Sequence, residues 1–69
     1  MTKGFAALWD GNTACVGSLV KTVEAVWYLG RRFPAGYIFM VEAVVCRRLK
    51  FTFNMVEIWV PASACITAN

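Results

Sequence analysis

Histidine is absent from this 69-residue sequence, and its absence removes several kinds of active site at once. Without an imidazole there is no serine–histidine or cysteine–histidine nucleophile pair. The five glycines are scattered along the chain and match no phosphate-binding loop. We therefore expect a protein that is not an enzyme and that holds no cofactor.

Cysteine is scarce, and its number is odd: Cys15, Cys46 and Cys65. Three widely spaced thiols do not fit a dense disulfide framework, and without histidine they do not make a zinc site. We expect reduced thiols that pack as small apolar side chains, no bound metal, and a cytoplasmic, reducing location. A single bridge between two of the three cysteines is the alternative.

Apolar runs long enough to span a bilayer without a charge are also missing. The three longest candidates, residues 13–30, 34–46 and 51–68, each contain at least one glutamate. An ionisable group near the middle of a membrane span costs roughly 2.5–3.5 kcal/mol, and no signal peptide is recognisable at the start. A small membrane-associated protein, with paired arginines at the interface, is therefore only our second hypothesis.

What the sequence does have is an excess of apolar residues. They make up 59% of the chain, against roughly 45–50% in an ordinary soluble domain. Residues 1–69 form a single small domain, whose core has little room for so many apolar side chains. The surplus predicts a surface that contacts another chain.

The first half of the sequence predicts a short strand and then a helix. The strand ends at an Asp10-Gly11 turn. From Thr13 to Leu29 the apolar residues recur at three- and four-residue steps, and Gly30 follows where helices commonly end. We predict a helix over Thr13–Leu29; the alternative is that Asp10-Gly11 opens a hairpin and these residues form strands.

The second half predicts strands. A turn at Pro34-Ala35-Gly36 precedes a β-branched, aromatic stretch from Tyr37 to Val45, and Leu49–Met55 alternates strictly between apolar and polar residues. The alternation reverses after Met55, which indicates a bulge or a strand end buried on both faces. The predicted fold is α+β, strand–helix–strand–strand with a C-terminal antiparallel hairpin; an all-β meander and a helical membrane-associated protein are the alternatives.

Five basic residues form the candidate basic patch: Arg31, Arg32, Arg47, Arg48 and Lys50. Arg47 and Arg48 lie where a hairpin connection is expected. Beside them, Phe51 and Phe53 on one strand face suggest stacking of single-stranded bases. The net charge of +3 is modest for a phosphate-binding surface, so a nucleic-acid-binding module is the third hypothesis.

The hypothesis we favour is a non-catalytic assembly protein, a small subunit that completes its core against another chain. That chain is a second copy or part of a larger complex. The predicted interface residues are Phe51, Phe53, Ile58 and Trp59, because aromatic side chains often dominate binding at interfaces. Glu42 and Glu57 lie in apolar runs, and we expect each to face solvent or to pair with a nearby arginine.

Overall fold

The computed structural model describes residues 4–68, and in this part of the chain nearly all regular structure is β. The ten strands are β1 (Ala6–Ala7), β2 (Thr13–Ala14), β3 (Leu19–Thr22), β4 (Val26–Tyr28), β5 (Arg31–Phe33), β6 (Ile38–Met40), β7 (Ala43–Val45), β8 (Arg48–Phe53), β9 (Val56–Pro61) and β10 (Cys65–Thr67). A 3₁₀ turn, Ala62–Ala64, connects β9 to β10. The predicted α+β class is therefore wrong. The all-β alternative describes the strand content, although the strands do not form a simple meander.

The predicted helix over Thr13–Leu29 is replaced by β2, β3 and β4. Its apolar residues do not share one face, since Val20 is 1% exposed and Trp27 is 66% exposed. Threonine and valine are frequent here, and their branched Cβ atoms favour extended backbone. Gly30 has a φ of +77° in the turn between β4 and β5. Because hairpin turns and helix ends both use positive φ, the glycine could not distinguish the two.

Two three-stranded antiparallel sheets enclose the core. Sheet I has the strand order β10-β3-β6, and sheet II has the order β7-β8-β9. β1 pairs with β2, and β4 pairs with β5, as two separate hairpins. The predicted strand from Tyr37 to Val45 is divided, because β6 belongs to sheet I and β7 to sheet II.

Tight two-residue turns connect the strands of sheet II. Cys46 and Arg47 have φ values of 51° and 65°, and Asn54 and Met55 have values of 50° and 66°. Two successive positive φ values are typical of type I′ hairpin turns. A hairpin connection was predicted at Arg47-Arg48. The structure has it one residue earlier, at Cys46-Arg47, and Arg48 begins β8. The reversal of the alternation after Met55 is a second hairpin turn and not a bulge.

The core is formed by the facing sides of the two sheets. Phe39 of β6 stacks on Phe51 of β8 with ring centres 4.2 Å apart, and Phe33 meets Phe51 edge-on at 5.4 Å. The buried apolar side chains are Ala6, Leu8, Ala14, Val20, Phe33, Phe39, Val41, Leu49, Phe51, Ile58, Val60, Ala62 and Cys65. The chain buries this core by itself, so its surplus apolar side chains lie on the surface.

A buried threonine fixes the predicted turn before β6. The Thr22 hydroxyl donates to the Pro34 carbonyl at 2.8 Å and accepts from the Tyr37 amide at 3.1 Å. Gly36 has a φ of +82° in this turn, and the Gly36 amide donates to the Thr22 carbonyl at 2.7 Å. The turn predicted at Pro34-Ala35-Gly36 is thus confirmed, and it places β6 against β3.

Candidate functional site

The outward face of sheet I is apolar around one lysine. The register pairs Leu19 with Met40, and Lys21 with Ile38 on one side and Ile66 on the other. Side chains alternate along a strand, so these five share a face, while their neighbours Val20 and Phe39 are buried. Ile38 and Met40 are 55% and 56% exposed. This face is therefore apolar except for Lys21.

The β10 edge of sheet I is covered by the loop between β1 and β2. The Trp9 amide donates to the Cys65 carbonyl at 2.8 Å. The Thr67 amide donates to an Asp10 carboxylate oxygen at 3.0 Å. The outward-pointing Cys65 carbonyl and Thr67 amide of β10 therefore have partners, and the loop occupies the edge where another strand would pair.

Asp10 holds this covering loop in place. Its carboxylate also accepts from the Asn12 amide at 3.0 Å and from the Asn12 side chain at 3.2 Å. These hydrogen bonds stabilise the charged carboxylate, and the bond from the Thr67 amide has the largest effect. They hold the pKa of Asp10 below its ordinary value of 3.8. The loop is thus fastened to β10 by a charged group that neutralises only in acid.

The β6 edge of sheet I is open. The Val41 amide donates to the Ser18 carbonyl, and the Tyr37 carbonyl accepts from the Thr22 amide. Because alternate residues bond in an antiparallel ladder, Ile38 and Met40 direct their backbone N–H and C=O groups away from β3. Among residues 4–68, β6 pairs with β3 alone. Sheet I therefore has one closed edge and one open, apolar edge.

The four predicted interface residues lie in two environments. Phe51 and Ile58 are 3% and 2% exposed, so the chain itself already covers them. Phe53 is half-buried beneath the Arg31 guanidinium, which lies 4.9 Å from its ring centre. Trp59 is half-buried on the outward face of sheet II, opposite Lys50. The stacking surface predicted from Phe51 and Phe53 is not available to bases, because both rings belong to the interior cluster.

The five basic residues do not form one patch. Arg31 and Arg32 lie on β5, Arg47 lies in the β7–β8 turn, and Arg48 and Lys50 lie on β8. Lys50 differs from the arginines, because its ammonium is ion-paired. In the part of the chain that the structure describes, no arginine forms an ion pair with a carboxylate.

Glu42 and Glu57 both face Lys50. The Lys50 Nζ lies 3.8 Å from a Glu42 oxygen and 3.4 Å from a Glu57 oxygen. The Glu42 carboxylate also accepts from the Thr52 amide at 2.9 Å and from the Thr52 hydroxyl at 2.8 Å. Both glutamates face solvent, as expected, but the basic partner is Lys50 and not an arginine.

The three thiols are free and differ in exposure. Cys46 is exposed in the β7–β8 turn, Cys15 is half-buried beside Ser18, and Cys65 is fully buried. Burial raises the pKa of the Cys65 thiol to about 11. Residues 4–68 contain no group of three potential metal ligands. Within the same residues, no helix has the length and apolar character needed to cross a membrane.

Two depressions include Tyr28 in their lining, one on each face of sheet II. On the outward face a depression of about 480 Å³ is lined by Tyr28, Val45, Cys46, Arg48 and Trp59. On the core-facing side a depression of about 200 Å³ is lined by Tyr28 together with Arg31, Phe53 and Ile58.

Sequence reasoning missed the open β6 edge. The signal for β6 was present in Ile38-Phe39-Met40, but all three residues are apolar. The pattern therefore did not show which side chains face the core. No protein-family model, curated protein or solved structure matches this chain.

Proposed function

We propose that this protein is a non-catalytic assembly protein that associates with a second copy of itself through the β6 edge. The observation that carries the proposal is the asymmetry of sheet I: the β1–β2 loop covers the β10 edge, and β6 is open and apolar. Natural proteins usually protect such edges with charges, prolines or bulges. Here the two exposed positions of β6 are isoleucine and methionine.

Two β6 strands are suited to pair antiparallel about a twofold axis at Phe39. Ile38 of each copy then lies opposite Met40 of the other, and both residues point their backbone groups at the partner. This pairing makes each Ile38–Met40 pair a hydrogen-bonded one. The result is a continuous six-stranded sheet with a longer apolar face.

Lys21 favours this edge-to-edge arrangement over contact between two sheet I faces. Lys21 lies on the central strand β3, flanked by Ile38 and Ile66, and face-to-face contact would bury two unpaired ammonium groups at considerable cost. In the edge-paired sheet three strand spacings separate the two lysines, about 14 Å. This exceeds the screening length of about 8 Å at physiological ionic strength.

The free thiols and the well-separated surfaces support a structural role in a reducing compartment. Cys46 is exposed, and in an oxidising compartment such a thiol would be prone to intermolecular disulfides. We place the protein in the cytoplasm as part of this proposal. In this proposal association does not complete the core, which one chain already buries, but adds a sheet interface at β6.

Sedimentation velocity across a dilution series tests this proposal. The wild type should show a reversible monomer–dimer equilibrium without detergent. Met40→Lys should raise the Kd of the dimer by at least about tenfold, which corresponds to about 1.4 kcal/mol. The reason is that the new charge faces apolar Ile38 of the second copy.

Leu19→Lys is the matched control. Leu19 lies on the same face of sheet I, opposite Met40, but on the central strand. Edge pairing predicts that Leu19→Lys dimerises nearly as well as the wild type. A wild type that stays monomeric at every concentration, or equal disruption by the two variants, would overturn the proposal.

A further inference from the structure

Two neighbouring turns present large apolar side chains to solvent. Leu29, between β4 and β5, is 75% exposed, and Met55, between β8 and β9, is 95% exposed. Val56 beside Met55 is exposed as well. The two turns are adjacent, because Leu29, Asn54 and Val56 line the same depression of about 200 Å³. We call Leu29, Met55 and Val56 the apolar tip.

The backbone of both turns is unfavourable for the residues that occupy it. Leu29 has a φ of 51° and Met55 has a φ of 66°. Asparagine, aspartate and glycine are the usual residues at such positions, because left-handed backbone disfavours other L-residues. The exposed side chains have little packing to offset this strain. Strain that packing does not compensate points to a function of the side chains themselves.

Two arginines border the apolar tip. Arg31 lies over Phe53 and lines the same depression, and Arg32 follows it on β5. Both are exposed, and within residues 4–68 neither forms an ion pair. Glu57, which follows the tip on β9, points to the other face of sheet II and pairs there with Lys50 at 3.4 Å. The tip is therefore flanked by two cations that the chain does not neutralise.

We propose that the apolar tip docks on an anionic membrane surface. Leu29, Met55 and Val56 would enter the boundary between lipid headgroups and acyl chains, while Arg31 and Arg32 would contact lipid phosphates. Exposed apolar side chains flanked by basic ones are a usual means of binding such a surface. The inference goes beyond pairing through β6 and does not rest on it, since the tip contains no residue of that strand.

The shape and charge of the tip favour a bilayer over a protein partner. Met55 protrudes from its turn, and a fluid boundary accommodates a protruding side chain without a matching pocket. A second copy docked tip to tip would bring the arginines of both copies together, which like-charge repulsion opposes. Trp27 is exposed opposite Arg32 and adds an indole ring, a group enriched at the headgroup level of membranes.

The arginines are set back from the tip by a suitable distance. Arg31 pairs with Tyr28 in the hairpin register, one residue back from Leu29, and Arg32 pairs with Trp27, one residue further back. At about 3.3 Å per residue these steps amount to roughly 3–7 Å. Apolar groups of interfacial proteins enter a membrane by about 5–10 Å. The long arginine side chains therefore reach the phosphates when Leu29 lies in the apolar boundary.

Co-sedimentation with lipid vesicles tests the proposal. The wild type should bind vesicles of equal parts phosphatidylcholine and phosphatidylserine, and pure phosphatidylcholine vesicles far more weakly. Leu29→Asn and Met55→Gly should each weaken binding to the mixed vesicles about tenfold, because each removes an inserted apolar side chain. Asparagine and glycine are preferred in these turns, so both variants should keep the fold. Arg32→Ser should weaken binding about fivefold, the contribution of one basic residue near an anionic surface.

Val16→Asn and Arg47→Ser are the matched controls. Val16 is an exposed apolar residue in the turn between β2 and β3, outside the lining of the depression. Arg47 lies in the turn at the opposite end of β8 from Met55. Both controls should bind the mixed vesicles like the wild type.

Four results would overturn the proposal. Three come from the vesicles: absence of binding to the mixed vesicles, equal binding to pure phosphatidylcholine vesicles, or equal losses in test and control variants. The fourth is a change in the self-association of Met55→Gly when it is sedimented without lipid, because this result would assign the tip to a contact between copies.

Discussion

Met55 occupies the second position of the β8–β9 turn with φ +66°, and its side chain is 95% exposed. The left-handed conformation costs an L-residue about 1–2 kcal/mol relative to its preferred backbone, and Met55 has almost no packing to offset this cost. Its neighbour Asn54 is the residue most often found at the first position of such a turn. The turn is therefore formed at a local cost that the pairing of β8 with β9 overcomes.

Met55→Gly should stabilise the protein, because Asn-Gly is the preferred type I′ pair. We expect the free energy of unfolding to rise by about 0.5–1 kcal/mol, since the more flexible unfolded chain offsets part of the relief. Urea denaturation measures this change. Gly30→Ala is the converse control. Gly30 has a φ of +77°, and a Cβ added there meets nothing within 4 Å. We therefore expect Gly30→Ala to lower the free energy of unfolding by about 1 kcal/mol through backbone strain alone. A destabilised Met55→Gly variant would contradict the turn assignment.

Cys65 and Cys46 should differ sharply in reactivity. Cys65 is fully buried, and its pKa is raised to about 11, so little thiolate exists at neutral pH. We expect a colourimetric thiol reagent to modify Cys46 rapidly in the native protein and Cys65 only after unfolding. Labelling followed by mass spectrometry identifies each site. Rapid modification of Cys65 under native conditions would show that β10 does not pack as described.

At the scale of the elements, the β-hairpins of sheet II could be predicted more readily than the strands of sheet I. Leu49, Phe51 and Phe53 alternate with Lys50 and Thr52, and the structure buries Leu49 and Phe51 and half-buries Phe53. That alternation specifies a strand with one buried face. The turn that follows it was misjudged, because Asn54-Met55 lacks the glycine that usually marks such turns.

The region from Thr13 to Leu29 could not be predicted correctly from spacing alone. Val20, Val23 and Trp27 fit a helical period, yet Val23 and Trp27 are exposed in the structure. Which side chains of this region are buried depends on pairing with distant strands, since β3 pairs with β6 and with β10. Local spacing carries no information about such partners, and tertiary context overrides weak propensity. The same dependence on pairing concealed the open β6 edge.

The β1–β2 loop should detach from β10 as the pH falls. The pKa of Asp10 is lower in the folded chain than its ordinary value of 3.8. Asp10 therefore contributes stability above pH 3.8, and this contribution is lost as the pH falls through its folded pKa. We expect wild type to be more stable than Asp10→Asn near neutral pH, with the difference vanishing in acid. Urea titrations of both proteins from neutral pH to below the folded pKa measure it. A difference that is constant with pH would contradict the charge-based role of Asp10.

At the scale of the whole molecule, exposed apolar side chains lie on several surfaces. The outward face of sheet I carries Leu19, Ile38 and Met40, while Trp27 and Met55 are exposed on other hairpins. Edge pairing at β6 uses backbone hydrogen bonds and apolar contacts, so added salt should affect it little.

Amide hydrogen exchange at Ile38 and Met40, followed by NMR at several protein concentrations, tests the open-edge assignment most directly. In the monomer these N–H groups point away from β3 and should exchange quickly, while the Phe39 amide, which faces β3, should be protected. In the edge-paired dimer both groups donate to the partner, so their exchange should slow as concentration rises, with Phe39 little changed. Exchange at Ile38 and Met40 that is independent of concentration, in samples that sedimentation shows to be dimeric, would contradict pairing through β6.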